Sequence, residues 1–338
     1  MKALTYTLGE GRAALNEAVN LLKKAQPIYL VGIGSSYNAG LAVITFFNAA
    51  GRPAILFDAS ELLHFGDVPQ NATVVVLSRS GKSSEIVKLL PRLKSRNAKI
   101  IALTNTPESP LAQQADVVLK MEAAFDNAVS VSMYSVMALI GGLLACATVS
   151  TVDDSLAAQL QNSIAGAGSR IDSWKAQIES SGWLDTQAPM YLLARAASLA
   201  TANEGELLWE EAAKLPATAM PGGLFRHGPQ EVLREGMCVA LWIEREKMRA
   251  QDLALAADLK KLGIKVLAIG QELPATAGDV VIQLPSTPAG WQFVLDIIPI
   301  QIASECLARL GNQNCDGFRL CQYIVENEGG LLGTETKS

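Results

Sequence analysis

Cysteine is scarce in this sequence, and its spacing follows no known site pattern. The 338 residues include five cysteines, none of which form a C-x-x-C pair: Cys146, Cys238, Cys306, Cys315 and Cys321. An odd number of cysteines without metal-ligand spacing argues against a disulfide framework and against a zinc site. We therefore expect reduced thiols, as in a cytoplasmic protein, and no bound metal.

Blocks of basic residues and long apolar runs are missing as well. The net charge is −5 and lysine and arginine form no cluster, which argues against binding to the phosphate backbone of nucleic acid. The N-terminus lacks the pattern of a signal peptide. The longest apolar stretch, from about Val136 to Val149, is shorter than the roughly 20 residues of a membrane span. The sequence predicts a cytoplasmic protein that binds neither nucleic acid nor membrane, while a small anionic ligand remains allowed.

The composition favours a globular chain with large hydrophobic cores. Hydrophobic residues make up 49% of the sequence and charged residues 18%. A chain of 338 residues exceeds the length at which a single core usually stops growing. Two domains are therefore the preferred interpretation, and one large domain is the alternative.

Short apolar segments alternate with segments of helical periodicity. The first helical pattern, with Leu15, Val19 and Leu22, leads into an apolar run that starts after Pro27. Strand-like segments then recur in the N-terminal half: 28–31, 54–57, 73–77, 99–103 and 117–119. Strands that alternate with helices predict a parallel sheet covered by helices on both faces.

The C-terminal half repeats this order with strand-like segments of its own: 190–193, 238–242, 265–269 and 277–281. Such an internal repeat predicts two similar α/β halves. We place their junction in the more polar, helical stretch between about Thr148 and Ala188. The predicted domains are therefore 1–150 and 151–338.

Glycine and serine cluster in two loops of the N-terminal half. Gly34, Ser35 and Ser36 follow the first predicted strand, and the segment 78–83, Ser-Arg-Ser-Gly-Lys-Ser, follows the strand at 73–77. A loop that opens a helix after a parallel strand offers free backbone amides and the positive end of the helix dipole to an anion. Two such loops in one sheet predict a phosphate-binding crevice, although either loop alone could be an ordinary helix cap.

Common nucleotide motifs do not fit these loops. Tyr37 stands where the G-x-G-x-x-G pattern requires its third glycine, and the P-loop pattern is absent. The C-terminal half reads Ala-Arg-Ala-Ala-Ser at 194–198, after its first predicted strand, and so lacks the glycine and hydroxyl cluster. We expect no cofactor, and we expect the anion in the N-terminal half.

Three segments resemble the motifs of the SIS (sugar isomerase) superfamily: V-G-I-G-S-S-Y-N-A-G, L-S-R-S-G-K-S-S-E and T-N-T-P-E-S-P-L-A-Q-Q-A-D. The similarity is strongest to the isomerase half of glucosamine-6-phosphate synthase, to fructosamine-6-phosphate deglycases and to SIS-type amino-sugar-phosphate deaminases. It implies two tandem SIS domains, each a parallel sheet flanked by helices. It also implies that the two loops hold a sugar phosphate, through Gly34, Ser35, Ser36, Ser78, Arg79, Ser80 and Ser83.

A carboxylate and a histidine in the C-terminal half form a second candidate constellation. Four residues share one face of a predicted helix: Glu204, Leu207, Leu208 and Glu211. Glu211 therefore lies on an apolar stripe, and desolvation would raise its pKa toward the range in which it can take up and return a proton near neutral pH. His227 lies in a loop bounded by glycine and proline, and histidine suits proton transfer at that pH.

The resemblance assigns roles to this pair. The order E-G, then Glu211, then R-H-G-P matches a segment in which the glutamate is the isomerisation base and the histidine opens the sugar ring. In those relatives the histidine comes from the partner subunit, which implies a homodimer with shared active sites. The alternatives are a solvated helix residue at Glu211 and an ordinary loop residue at His227. We expect His64 to be structural.

The sequence departs from the synthase at several positions. Leu208 and Tyr323 stand where the synthase has lysines, Val131 and Ser132 replace a Thr-Lys pair, and Lys337 is the only lysine of the tail. The sequence runs from Met1 directly into the SIS unit, so we expect no glutaminase activity. These differences favour a deglycase or deaminase that acts on a fructosamine 6-phosphate or an amino-sugar 6-phosphate. Plain isomerisation remains open, and a non-catalytic sugar-phosphate sensor is the alternative class.

Overall fold

Ten strands form two sheets within residues 1–320 and 322–325, the part of the chain that the computed structural model describes. The first sheet contains β1 (Ile28–Gly32), β2 (Ala54–Asp58), β3 (Thr73–Leu77), β4 (Lys99–Thr104) and β5 (Val117–Lys120). The second contains β6 (Met190–Ala194), β7 (Ala217–Pro221), β8 (Cys238–Trp242), β9 (Lys265–Gly270) and β10 (Val280–Gln283). Cys321, Lys337 and the end of the predicted domain 151–338 lie outside the described residues.

Both sheets are parallel and have the same strand order. The first runs β2-β1-β3-β4-β5 and the second β10-β9-β8-β6-β7, which is the same order when each half is numbered from its own first strand. The predicted α/β fold with two parallel sheets is confirmed. The domain boundary between residues 150 and 151 stays a prediction.

Strand β7 is not evident from the sequence. Its five residues, Ala-Thr-Ala-Met-Pro, are half-buried throughout. It lies at the edge of the second sheet next to β6, where proline is tolerated and no continuous apolar run is needed. The predicted segment 277–281 also begins too early, because a 3₁₀ turn occupies Ala275–Ala277 and β10 starts only at Val280.

Helices cover both faces of both sheets. The first half contains α1 (Lys2–Leu8), α2 (Arg12–Lys24), α3 (Ser35–Ala49), α4 (Ala59–His64), α5 (Ser84–Ser95), α6 (Pro110–Gln114) and α7 (Ser132–Val149). The predicted junction contains α8 (Asp154–Gly168) and α9 (Ile171–Ser180). The second half contains α10 (Ser198–Leu208), α11 (Gly222–Phe225), α12 (Arg249–Lys261) and α13 (Ile298–Leu310).

The largest core lies between the two sheets. Helix α3 packs against α7 and against α10, so the two halves meet along these helices. One cluster of buried residues includes Leu30 of β1, Leu139 of α7 and Leu192 of β6. Helix α7 is long and apolar enough to cross a membrane, but 67% of it is buried inside the described structure. This burial agrees with the core helix that we predicted for this stretch.

The strand order creates a crevice at the carboxyl ends of β1 and β3. Helix α3, which follows β1, packs into the core between the sheets, whereas α5, which follows β3, packs into a separate core on the other face. Ligands of open α/β sheets bind where successive connections leave toward opposite faces in this way. The two glycine- and serine-rich loops lie at this point. The equivalent crevice of the second sheet lies after β6 and β8.

Candidate active site

The loop after β1 brings the start of α3 to the crevice. Gly34 has φ +55° and ψ −130°, a conformation that glycine adopts far more readily than residues with a Cβ atom. Helix α3 begins at the next residue, so its first amides and the positive end of its dipole lie at the crevice. The hydroxyl of Ser35 is already engaged, because its Oγ donates a 2.6 Å hydrogen bond to Glu204.

The loop after β3 is braced by its own serines. The amide of Gly81 donates to Oγ of Ser78 at 3.1 Å, and the amide of Lys82 donates to Oγ of Ser80 at 3.2 Å. Gly81 has φ +60°, and a Cβ atom here would collide with the side chain of Ser109. Glycine is therefore required, and the loop is held in one shape before any ligand binds.

One cavity contains every residue that we predicted to hold the phosphosugar. It has a volume of about 230 Å³ and lies at the crevice of the first sheet. Its lining includes the whole predicted set: Gly34, Ser35, Ser36, Ser78, Arg79, Ser80 and Ser83. Glu211 lines the same cavity although it belongs to the second half of the chain. The fold brings these residues together, and their roles stay predictions.

Glu211 lies in a π-helical turn, Trp209–Ala213, that directly continues α10. Such turns are rare and occur frequently at functional sites. The sequence predicted an ordinary α-helix here, which cannot be told from a π-turn by apolar spacing. Burial raises the pKa of Glu211 to about 7, while the positive charges of Arg79 and Lys214 oppose this shift. A carboxyl group with this pKa can take up and return a proton near neutral pH.

Glu204 is a member of this site that we did not assign from the sequence. Its side chain is 1% exposed, and it accepts hydrogen bonds from Oγ of Ser35 at 2.6 Å and Nδ2 of Asn38 at 3.0 Å. These bonds join α10 of the second half to α3 of the first. Burial raises the pKa of Glu204 to about 8, so its carboxyl group is mostly protonated at neutral pH. The apolar-stripe argument that identified Glu211 applies equally to Glu204 and is the signal that could have found it.

His227 is not among the described residues that line the cavity. It follows α11 and is exposed, and its amide donates to the carbonyl of Leu224 at 2.9 Å. Leu224 and Val232, two apolar side chains close to it in sequence, are 56% and 46% exposed. Within one chain, His227 therefore does not share the cavity of Glu211. His64 is exposed at the end of α4 and also lies outside this cavity.

The C-terminal tail forms one wall of the cavity. Five of its described residues contribute to the lining: Phe318, Gln322, Tyr323, Ile324 and Val325. The carbonyl of Val325 accepts a 3.0 Å hydrogen bond from the amide of Ser84, the first residue of α5. The ring of Tyr323, which stands at the place of a synthase lysine, lies 4.3 Å from the guanidinium carbon of Arg79.

A larger cavity, of about 650 Å³, lies at the equivalent crevice of the second sheet. Its lining includes the loop between β8 and α12. In this loop the carboxylate of Glu244 accepts hydrogen bonds from the amides of Glu246, Lys247 and Met248 at 2.9, 2.6 and 2.7 Å. Three amides of this loop are therefore occupied by a carboxylate of the protein itself.

The first sheet and its crevice correspond to a known domain. Residues 21–146 match the family model of the SIS domain. This SIS domain contains both serine-rich loops and lies within the predicted domain 1–150. The SIS resemblance that the motifs suggested is confirmed for this part of the chain.

Relatives with this sequence pattern include glutamine–fructose-6-phosphate aminotransferases (isomerizing). The protein of Pyrobaculum aerophilum is 27% identical over 315 residues, which cover 86% of this chain and 50% of the relative. That of Mycolicibacterium smegmatis is 24% identical over 315 residues, which cover 87% of this chain and 50% of the relative. The chain thus spans about half the length of the curated relatives it matches. The predicted resemblance to the isomerase half of this synthase is confirmed.

Three solved structures share the fold, each with a TM-score of 0.76. The C-terminal domain of glucosamine-fructose-6-phosphate aminotransferase from Francisella tularensis is 20% identical, with 89% of this chain and 89% of that chain covered. Glucosamine-6-phosphate deaminase from Thermotoga maritima is 21% identical, with 94% of this chain and 99% of that chain covered. Tagatose-6-phosphate ketose/aldose isomerase from Escherichia coli is 19% identical, with 93% and 90% covered. At these identities the likeness establishes the fold alone.

Proposed function

We propose that this chain is a phosphosugar isomerase-type enzyme in which Glu211 moves a proton between C1 and C2 of an open-chain sugar 6-phosphate. One observation carries the proposal: Glu211, whose pKa burial raises to about 7, shares a cavity with both serine-rich loops. A base placed within reach of an anchored sugar needs such a pKa, because it must both accept the proton and give it back. The isomerizing relatives support the same reaction class.

The phosphoryl group of the substrate binds at the first sheet in this proposal. The starts of α3 and α5 supply backbone amides and dipole charge, and Ser36, Ser78, Ser80 and Ser83 supply hydroxyl donors around the same cavity. The second sheet offers a similar loop after β8, but Glu244 fills its amides and would repel an anion. One phosphate site per chain, in the first half, is the arrangement that these contacts favour.

We infer that the working unit is a homodimer of chains with two tandem SIS domains. The shared strand order supports a second, diverged SIS domain in 151–338. The exposure of His227, with Leu224 and Val232 exposed near it in sequence, supports an assembly in which a second copy covers this face. His227 would then assist opening of the sugar ring in the cavity of the other subunit.

The substrate in this proposal is a fructosamine 6-phosphate or an amino-sugar 6-phosphate. The enzyme removes the amine from it by deglycation or deamination. Leu208 is buried and apolar, and Tyr323 carries no positive charge, so neither position supplies the lysine that the resembling synthase has there. A catabolic enzyme does not need to capture ammonia. Interconversion of an aldose and a ketose 6-phosphate uses the same proton transfer and is included in the test.

The proposal is tested by proton exchange with solvent. The purified chain is incubated in D₂O with fructose 6-phosphate, glucosamine 6-phosphate or a fructosamine 6-phosphate, and deuterium at C1 and C2 is followed by NMR together with release of amine. Glu211→Gln should lower exchange by roughly 10²- to 10⁴-fold, the usual contribution of a positioned base, without loss of binding.

Glu210→Gln is the matched control, because this neighbouring glutamate is exposed and is not part of the described lining of the cavity. Its maximal exchange rate should stay at the wild-type level, and the rise of exchange with pH should move only slightly to lower pH, because the charge of Glu210 raises the pKa of Glu211. Normal exchange in Glu211→Gln would contradict the assignment of the base. A wild-type chain that binds these sugars but exchanges no proton would instead be the sugar-phosphate sensor, the alternative function.

A further inference from the structure

Arg79 is held in place by groups from two different segments. Its Nη1 donates to Oγ of Ser130 at 3.2 Å, and its Nη2 donates to the carbonyl of Tyr323 at 3.4 Å. The ring of Tyr323 stacks against the guanidinium at 4.3 Å. The hydroxyl of Tyr323 in turn donates to the carbonyl of Asp126 at 3.2 Å. The guanidinium is thus fixed between the tail and the segment that precedes α7.

The positive charge of Arg79 acts on the site carboxylates. It lowers the pKa of Glu211 and of Glu204 against the larger effect of burial. The two groups that accept hydrogen bonds from Arg79, a hydroxyl and a carbonyl, are both neutral. These partners do not neutralise the positive charge of Arg79, which can therefore act on a ligand in the cavity.

Arg79 is the one cation among the described residues that line this cavity. Lys214 is the other positive group that acts on Glu211, but its Nζ donates to the backbone carbonyls of Glu211 and Gly317. It lines a neighbouring cavity, which Glu211 also borders, and not the cavity of the two serine-rich loops. Leu208 and Tyr323 provide no charge where the resembling synthase has lysines. Among the described residues that line this cavity, Arg79 is therefore the side chain that can place positive charge beside a reacting oxygen.

Enolisation needs such stabilisation. When a base removes a proton beside a carbonyl group, negative charge develops on the carbonyl oxygen, and preorganised donors aimed at that oxygen supply a large part of the rate enhancement. A rigidly held guanidinium, with several N–H donors in one plane, is suited to this task.

We propose that Arg79 is a catalytic residue that stabilises the enolate oxygen of an open-chain 2-ketose 6-phosphate, rather than a ligand of its phosphate. In this step the carboxylate of Glu211 binds the proton of C1. The electron pair of the C1–H bond forms the C1=C2 double bond, and the π pair of the C2 carbonyl moves to O2, beside Arg79. When Glu211 returns its proton to C2, the π pair of the C1=C2 bond forms the new C2–H bond. The C1 hydroxyl or amine gives its proton to O2, and the electron pair that is left forms the double bond of the C1 carbonyl or imine.

This inference rests on the proposed function and names its substrate class: ketose 6-phosphates that carry a hydroxyl or a substituted amine at C1. It is tested with Arg79→Gln and Arg79→Lys. Arg319→Gln is the matched control, because Arg319 is exposed on the same tail but lines the neighbouring cavity. Three quantities are measured for wild type and for each variant: deuterium exchange at C1, the dissociation constant of inorganic phosphate, and the pH profile of exchange.

Arg79→Gln should lower the maximal exchange rate by about 10²- to 10³-fold, the usual effect of removing one such donor, with little change in phosphate affinity. Retained phosphate binding also shows that the variant is folded. Arg79→Lys should recover part of the loss, and Arg319→Gln should behave as wild type. Four charged or titratable side chains act on Glu211: Arg79, Lys214, Glu210 and Glu204. Loss of Arg79 should raise the pKa of Glu211, so the exchange rate should begin to increase only at a higher pH than in wild type.

The outcomes separate the two proposals. If the wild-type chain exchanges protons and Arg79→Gln loses phosphate affinity while its maximal rate stays normal, Arg79 is a phosphate ligand and the inference is overturned. An unchanged pH profile in Arg79→Gln would also count against it. If the wild-type chain binds phosphate but exchanges no proton in any ketose 6-phosphate, the proposed function itself fails.

Discussion

Replacing Glu204 with glutamine should remove a large pH dependence from the stability of this protein. Glu204 is 1% exposed, and burial raises its pKa to about 8 from an ordinary value of 4.5. The folded state therefore binds this proton more tightly than the unfolded chain does. The protonated carboxyl group of Glu204 therefore contributes to the free energy of unfolding. This contribution is fully present below about pH 4.5 and is lost as the pH rises through about 8.

The magnitude follows from the size of this difference. Each pH unit between the two pKa values lowers the free energy of unfolding by about 1.4 kcal/mol. The interval from 4.5 to about 8 therefore sets an upper bound of about 5 kcal/mol, of which about 3 kcal/mol has been lost at pH 7. Glutamine stays uncharged throughout this range and can still accept a hydrogen bond from Ser35.

The assay is urea unfolding followed by tryptophan fluorescence between pH 5 and 8.5. Wild type and Glu204→Gln should have similar free energies of unfolding at pH 5, and the variant should become more stable by several kcal/mol toward pH 8.5. Glu17→Gln, an exposed change on α2, is the control and should follow wild type. Asp296, whose pKa burial raises to about 6, is present in every variant and cancels in the comparison, whereas Glu211 interacts with Glu204 and adds a smaller difference of its own. Parallel curves for wild type and Glu204→Gln would refute the reasoning.

Three further changes test other elements of the structure. Gly34→Ala forces a Cβ onto φ +55° and should lower the free energy of unfolding by about 1–3 kcal/mol, so an unchanged urea midpoint would contradict the strain argument. Glu244→Ala removes the acceptor of three amides and should cost about 1–3 kcal/mol at pH 7. Because hydrogen bonds hold the pKa of Glu244 below its ordinary value, this loss should shrink in acid, and an equal loss at pH 3.5 would rule out the carboxylate as its source. His227→Asn and Glu211→Gln chains should each be inactive on the cyclic substrate, but mixing them should rebuild one of two sites in each mixed dimer and restore up to about a quarter of the activity. No recovery after subunit exchange would contradict an active site that is shared between subunits.

The loops of the site could be predicted because their signals are local. Continuous apolar runs mark β1 and β3, and glycine and serine follow each strand within a few positions. Gly34 and Gly81 both have positive φ, as the turns require. The predicted bounds of β1 and β3 differ from the observed ones by at most one residue. These features depend on neighbouring residues, which a sequence displays directly.

The contacts that join distant segments could not be predicted in the same way. Ser35 and Glu204 are 169 positions apart, and Arg79 and Tyr323 are 244 apart. The hydrogen bonds from the loop amides to the carboxylate of Glu244 were not predicted for another reason. A glutamate in a polar loop carries no sequence signal that its side chain will accept hydrogen bonds from the amides that follow it. Apolar spacing also does not distinguish the π-turn at Glu211 from an α-helix.

By itself, the sequence determined the alternation of strands and helices, the repeat of the two halves and the two loops that could hold an anion. Only the tertiary structure decided that Glu211 faces those loops from the other half, that Glu204 is fully buried and that Arg79 is the cation beside them. Local pattern governs backbone conformation, because each turn or strand is selected by a few adjacent side chains. Proton affinity and charge balance depend instead on desolvation and on Coulomb interactions, and both are set by atoms that only the fold brings together.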